Sequence, residues 1–302
     1  MMRIGLFLLT NLAVILVASV TLSLLGVDGY LQQGGSGLNL QSLLIFSAVF
    51  GMSGAMISLL LSKKMATWSA RVQIITRPSQ PVERWLVETV SDLAEKAGIG
   101  MPDVGIFPAQ QSNAFATGWN KNAALVAISE GMLQRFNKDE VRAVLAHEIG
   151  HVANGDMVTM SLLQGVINTF VIFAARVVGY AIDSFVRRNG NGGLGFGYYI
   201  VVIVAEIVFG IAASTIVMWF SRRREYRADV AGAQLADRTS MIRALQRLKA
   251  ESEAPNQMPD SLLAFGINSG VRKGVMSTMG ELFRSHPPLD DRIAALSEQR
   301  YG

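Results

Sequence analysis

The chain has 302 residues, half of them hydrophobic and 17% charged, with a formal charge of +4 and a mean hydropathy of +0.34. The apolar residues are clumped into long runs, which argues against a wholly soluble protein and for bilayer spans. The basic residues flank those runs, which suits a membrane surface; no motif for nucleic acid or nucleotide is present. With no cysteine, disulfides, thiol catalysis, cysteine-based zinc sites and a lipoprotein anchor are excluded.

The first apolar run, Ile4 to about Val27, carries no charge. It exceeds the ~7–15 residues of a signal-peptide core, which predicts a retained anchor. A second uncharged run extends from Leu40 to Leu61. The loop between them has no Lys or Arg, whereas Lys63, Lys64, Arg71, Arg77 and Arg84 follow the second run. The positive-inside rule therefore places the chain after Leu61 on the cytoplasmic side.

Globular character follows. Glu83 to Ala97 reads as an amphipathic helix, with Trp85, Leu86, Val90 and Leu93 on one side and Gly98 as its stop. Three β-rich segments come next: Asp103–Phe107, Asn113–Trp119 and Ala123–Ile128. Asn120-Lys121-Asn122 separates the last two and predicts a hairpin turn.

Asn137 to Gly155 predicts a helix with a capping box from Asn137 and Glu140, and a buried stripe of Val141, Val144, Leu145, Ile149 and Val152. His147 and His151 lie four apart, so both imidazoles leave one face and can grip one ion. Glu148 sits beside them, where a carboxylate can act on a water without ligating the metal. At this composition H-E-x-x-H arises by chance in about one chain in a thousand, and two of the three histidines fall in it.

Two further runs, Met157 to about Ile182 and Tyr199 to Phe220, are joined by the flexible RRNGNGGLGFG. They carry Arg176 and Glu206. At ~1.5 Å rise per residue these lie about 27 Å and about 22 Å from the same membrane side, so they are expected to pair. Arg222, Arg223 and Arg224 return the chain to the basic side, and a mostly helical block with a linker at Glu253–Pro259 completes it.

A catalytic zinc site needs a third protein ligand and an open position. Glu225, in an E-x-x-x-D spacing with Asp229, is the candidate, with Asp229 placed to accept from a ligand imidazole. A solvated acidic pair among arginines is the competing reading of the same residues. The last histidine, His286, precedes two prolines, with Arg292 six residues on.

Two N-terminal spans, NAFATG, HEIGHVANGDM, a hydrophobic hairpin, E-x-x-x-D and SHPPLDDRI together resemble the heat-shock-linked, membrane-bound zinc proteases of the M48 peptidase family. The resemblance covers essentially the whole chain. It implies an α+β, mainly α protein: four transmembrane helices with a cytoplasmic, gluzincin-like zinc metalloprotease domain containing a small β-sheet. It implies one Zn2+ per chain on His147, His151 and Glu225, with Glu148 as catalytic base and Asp229 behind a ligand. It also brings the segment of His286 and Arg292 toward the zinc, as oxyanion stabiliser or resting-state ligand. Asn113, Ala114, Phe115 and Ala116 are expected to form an edge strand that holds substrate. Expected partners are the lipid bilayer and protein substrates, chiefly misfolded or damaged membrane proteins, cleaved without ATP in the bacterial inner membrane. The expected organisation is two spans over 1–62, a first catalytic part over 63–156, the hydrophobic hairpin over 157–221, and a second catalytic part over 222–302.

An intramembrane protease with H-E-x-x-H is disfavoured, because here the motif follows the charged stretch Lys138 to Arg142. A membrane chaperone with a structural metal is disfavoured by Glu148, which such a site does not need.

Overall fold

A computed structural model describes residues 40–186, 195–253 and 286–298. The first apolar run, the centre of the glycine-rich loop and most of the Glu253–Pro259 linker lie outside the described residues. The chain falls into two compact units, Met1–Leu59 with Met160–Val217, and Leu60–Thr159 with Met218–Gly302.

In the first unit the described residues come from three helices: α1 (Leu40–Ser69), α5 (Asp156–Val186) and α6 (Phe196–Leu235). Each is long and apolar enough to cross a membrane. Small residues let α1 and α5 meet closely. A Cβ on Gly51 would lie 2.5 Å from the Thr169 backbone nitrogen, and one on Gly165 would lie 2.7 Å from Met52 Sδ. Isoleucines and valines of α6, among them Ile203, Val204, Ile207, Val208 and Ile211, stay more than half exposed, a surface suited to lipid. The expected pair forms: Arg176 Nη1 donates to Glu206 Oε1 at 2.8 Å, with the guanidinium 5.1 Å from the Phe46 ring.

The second unit holds a four-stranded sheet of order β1-β2-β4-β3. Its strands are β1 (Gln73–Ile74), β2 (Asp103–Phe107), β3 (Ala114–Thr117) and β4 (Leu125–Ser129). β2 and β4 run parallel, while β1 and β3 are antiparallel edges. Every residue of β4 is buried, so it reads as a continuous apolar run. The predicted turn joins β3 to β4, with the Asn122 amide donating to Asn120 Oδ1 at 2.9 Å. β1, only two residues long, has no counterpart in the sequence reading.

Helix α2 (Pro81–Lys96) buries Leu86, Val90 and Leu93 completely. A short α3 (Glu130–Arg135) leads into α4 (Lys138–Ala153), and the described residues of this unit also form α7 (Arg238–Glu253) and α8 (Leu289–Ser297). The capping box of α4 is present: the Glu140 amide donates to Asn137 Oδ1 at 2.9 Å, and the Asn137 amide to Glu140 Oε2 at 3.0 Å. The predicted stripe of α4 is buried, and so are His147 and Glu148, which makes α4 the central helix of this core.

Two helices extend beyond the apolar runs that the sequence marks. α1 continues past Lys63 to Ser69, and α6 continues from its apolar run through Arg222–Arg224 to Leu235 without a break. Charged residues change the surroundings of a helix, not its backbone geometry. With no Gly or Pro between Gly210 and Gly232, nothing stops α6.

If the Arg176–Glu206 contact is a coupled pair, Arg176→Gln and Glu206→Gln should each destabilise the detergent-solubilised protein. The double variant should then lose less than the sum, with a coupling of about 1 kcal/mol. Additive losses in thermal unfolding would contradict the pairing.

Candidate metal centre

The site is assembled where α4 crosses the C-terminal part of α6. On α4, His147 and His151 lie one turn apart, with ring centroids 4.8 Å apart. On α6, Glu225 and Asp229 are likewise one turn apart, so both carboxylates face α4. The crossing is close because the contact residues are small. A Cβ on Gly150 would lie 2.7 Å from that of Ala231, and one on Gly232 would lie 3.3 Å from the His147 backbone nitrogen. Ala228 is completely buried in the same seam.

His147, His151 and Glu225 each offer one ligand atom, all within 4.8 Å of one another. Glu225 Oε1 lies 3.3 Å from His151 Nε2, and Glu225 Oε2 lies 3.6 Å from His147 Nε2. Donors bound at about 2.0–2.1 Å in a tetrahedron are spaced by about 3.3–3.5 Å, so these separations suit one small cation. His147 Nε2 is buried and, among the described residues, has no hydrogen-bond partner. A buried orphan nitrogen facing a carboxylate is accounted for by metal ligation.

The opposite nitrogens of both rings are held. His147 Nδ1 lies 3.0 Å from Asp229 Oδ1, and His151 Nδ1 lies 2.6 Å from Asp156 Oδ2. Nδ1 therefore carries the hydrogen in each ring and Nε2 is left to the centre. Asp156, the first residue of α5, falls within HEIGHVANGDM, but the sequence reading gave it no role. An aspartate after glycine looks there like an ordinary helix start.

Arg292 closes the arrangement from α8. It is 1% exposed and forms a two-pronged contact with Asp229, Nε to Oδ2 at 2.8 Å and Nη2 to Oδ1 at 2.5 Å. His286 Nδ1 lies 2.6 Å from Glu225 Oε2. The structure thus brings His286 to a candidate ligand and puts Arg292 behind Asp229. A cleft of about 170 Å³ is lined by Glu148, His151, Asp156, Glu225, His286 and the edge-strand residues Ala114, Phe115 and Ala116. Asn113 lies just before β3, where its amide donates to Ser129 Oγ at 2.9 Å.

Electrostatics follow from burial and crowding. Burial pushes the Glu148 carboxyl up from the usual carboxylate range. Burial works against charge on His147, but Asp229 and Glu225 outweigh it and raise its pKa. His151 is treated alike: burial opposes its charge, yet Asp156 and Glu225 lift its pKa to about 10. The potential that favours a proton on these rings equally favours a divalent cation between them.

Removing Arg292 would leave Asp229 buried without its cation. Arg292→Leu should cost about 3–5 kcal/mol of stability by denaturant or thermal unfolding. A loss below about 1 kcal/mol would show that Asp229 does not depend on it.

The comparisons agree with this geometry. The family model described as Peptidase family M48 matches residues 80–300. Proteins named Protease HtpX are similar over nearly the whole chain. The one from Alcanivorax borkumensis is 77% identical over 302 residues, covering all of both chains. That from Hahella chejuensis is 67% identical over 300 residues, covering 99% of this chain and all of its own. That from Chromohalobacter salexigens is 63% identical over 303 residues, covering 100% of this chain and 99% of its own. Among solved structures, S. mikatae Ste24p shares the fold with a TM-score of 0.59 at 18% identity. That match covers 93% of this chain and 65% of the other. With a His/His/Glu cluster and helices apolar enough to cross a bilayer, the chain is a membrane metalloprotease and belongs to peptidase family M48.

Proposed function

We propose that the chain is a zinc-dependent endopeptidase of the bacterial inner membrane, with one Zn2+ held by His147, His151 and Glu225. Four transmembrane helices carry a cytoplasmic catalytic part, formed from residues 63–156 and 222–302 on either side of the hydrophobic hairpin 157–221. Its substrates are proteins, chiefly misfolded or damaged membrane proteins, cut without ATP as part of quality control. The observation that carries this reading is the placement of Glu148 in the same cleft as two of the three candidate ligands, beside an edge strand.

A bound zinc ion supplies Lewis acidity, acidifying water to a pKa of about 7 and polarising a carbonyl. The protein's own groups do the rest. Glu148, with its carboxyl raised by burial, takes the proton from the attacking water and delivers it to the departing amide nitrogen. No covalent intermediate is needed. His286 Nδ1 is 2.6 Å from Glu225 Oε2, and in its imidazolium form the ring can give its other N–H to the carbonyl oxygen as charge develops there. Arg292 acts one layer behind, holding the carboxylate that orients His147. The segment from Asn113 to Ala116 runs into the edge strand β3, which among the described residues is paired on one side only and can pair with an extended substrate backbone on the other.

The test is cleavage of an unfolded protein by the purified full chain. Wild type should lose activity to a chelator and regain it with zinc. Glu148→Gln should lose at least about 10²-fold in kcat while keeping its metal, and His286→Ala about 10²–10³-fold. Chelator-sensitive cleavage by Glu148→Gln at the wild-type rate would contradict the mechanism. Unchanged turnover by His286→Ala would remove His286 from it.

A further inference from the structure

The two candidate ligand histidines draw their supporting carboxylates from different places. Asp229 stands one turn beyond Glu225 on the same helix, so His147 and its support belong to one crossing of α4 and α6. His151 is supported from elsewhere. Asp156 is the first residue of α5, the apolar helix that follows α4 directly. Only Asn154 and Gly155 separate Ala153, the last residue of α4, from Asp156.

Gly155 makes this short joint possible. Its φ is +67°, in the left-handed region that other residues rarely adopt. Across this joint Asp156, 5% exposed, meets His151 Nδ1 at 2.6 Å. Among the described residues, the Asp156 side chain makes its hydrogen bond to His151. A buried carboxylate with a single imidazole as partner fixes that ring's orientation and tautomer and makes the far nitrogen a better donor.

We propose that Asp156 is a positioning residue for His151, so that metal retention depends on the first turn of the long apolar helix α5. The inference rests on the reading of His147, His151 and Glu225 as metal ligands. It makes the joint Asn154–Gly155–Asp156 part of the metal centre, although none of its residues would touch the ion. The apolar helix then has a chemical task at its first residue as well as a hydrophobic one along its length.

An aspartate at a helix start also helps the helix itself, by accepting from free backbone N–H groups and by complementing their dipoles. The variants must separate the two roles. Serine is equally suited to a helix start but too short to reach Nδ1. Asparagine keeps an acceptor oxygen at the same reach and loses only the charge.

The experiment uses the full chain in detergent with Glu148→Gln present throughout, so that metal binding is read apart from turnover. Zinc affinity is measured by competition with a chromophoric chelator, the ligand field by visible absorption after loading with Co2+, and stability by thermal unfolding in chelator. Asp156→Ser should weaken zinc binding by about 10–100-fold and alter the Co2+ spectrum, with its unfolding temperature close to the parent's. Asp156→Asn should lose several-fold less affinity than Asp156→Ser. Parental affinity in Asp156→Ser would overturn the proposal, and so would equal losses in the serine and asparagine variants. No zinc uptake by the Glu148→Gln parent would instead overturn the metal reading beneath it.

Discussion

Two imidazoles on one helix and a carboxylate on another can share an ion only if the helices nearly touch. Gly150 on α4 and Ala228, Ala231 and Gly232 on α6 meet that demand. A methyl group added at Gly150 would press on Ala231 at 2.7 Å, and the interior is too densely packed to absorb it nearby. The seam also accounts for the unbroken run of α6. The carboxylates keep their aim at α4 because they sit on a stiff helix of 40 residues and not on a loop.

The centre gathers Glu148, Asp156, Glu225 and Asp229, with Arg292 as the buried cation opposing them. Such a group is costly to bury unless each charge is answered. Arg292 answers Asp229, the histidines answer Asp156 and Glu225, and a divalent cation would answer the remainder. Glu148 is the member left to work. Burial raises its pKa, whereas neighbouring cations and imidazoles outweigh burial and lower those of Glu225 and Asp229, so it is the one disposed to accept a proton over those two.

Much of this was legible in the sequence because local rules coincide with the fold. The capping box of Asn137 and Glu140, the spacing of His147 and His151, and the Asn120–Asn122 turn are short-range features, and they stand where expected. Arg176 and Glu206 were matched by depth alone, and their contact is 2.8 Å. Glu225 and Asp229 needed the family resemblance, since an acidic pair beside three arginines reads equally well as solvated surface. Asp156 was not legible. Its role depends on the left-handed turn at Gly155, and sequence shows a glycine without showing which way the chain turns there. The full lengths of α1 and α6 were not legible, because hydropathy bounds only the apolar runs, and the lysines and arginines after them mark the end of the apolar surroundings and not of the helix.

The central claim is that His147, His151 and Glu225 hold one metal ion. X-ray absorption at the zinc edge, on the zinc-loaded Glu148→Gln chain, tests it most directly. The account predicts one zinc per chain, two imidazole nitrogens at about 2.0–2.1 Å, and carboxylate oxygen at about 2.0–2.2 Å completing the protein ligands. One imidazole should be lost in His151→Ala. A shell without imidazole, or a spectrum unchanged by that substitution, would contradict it.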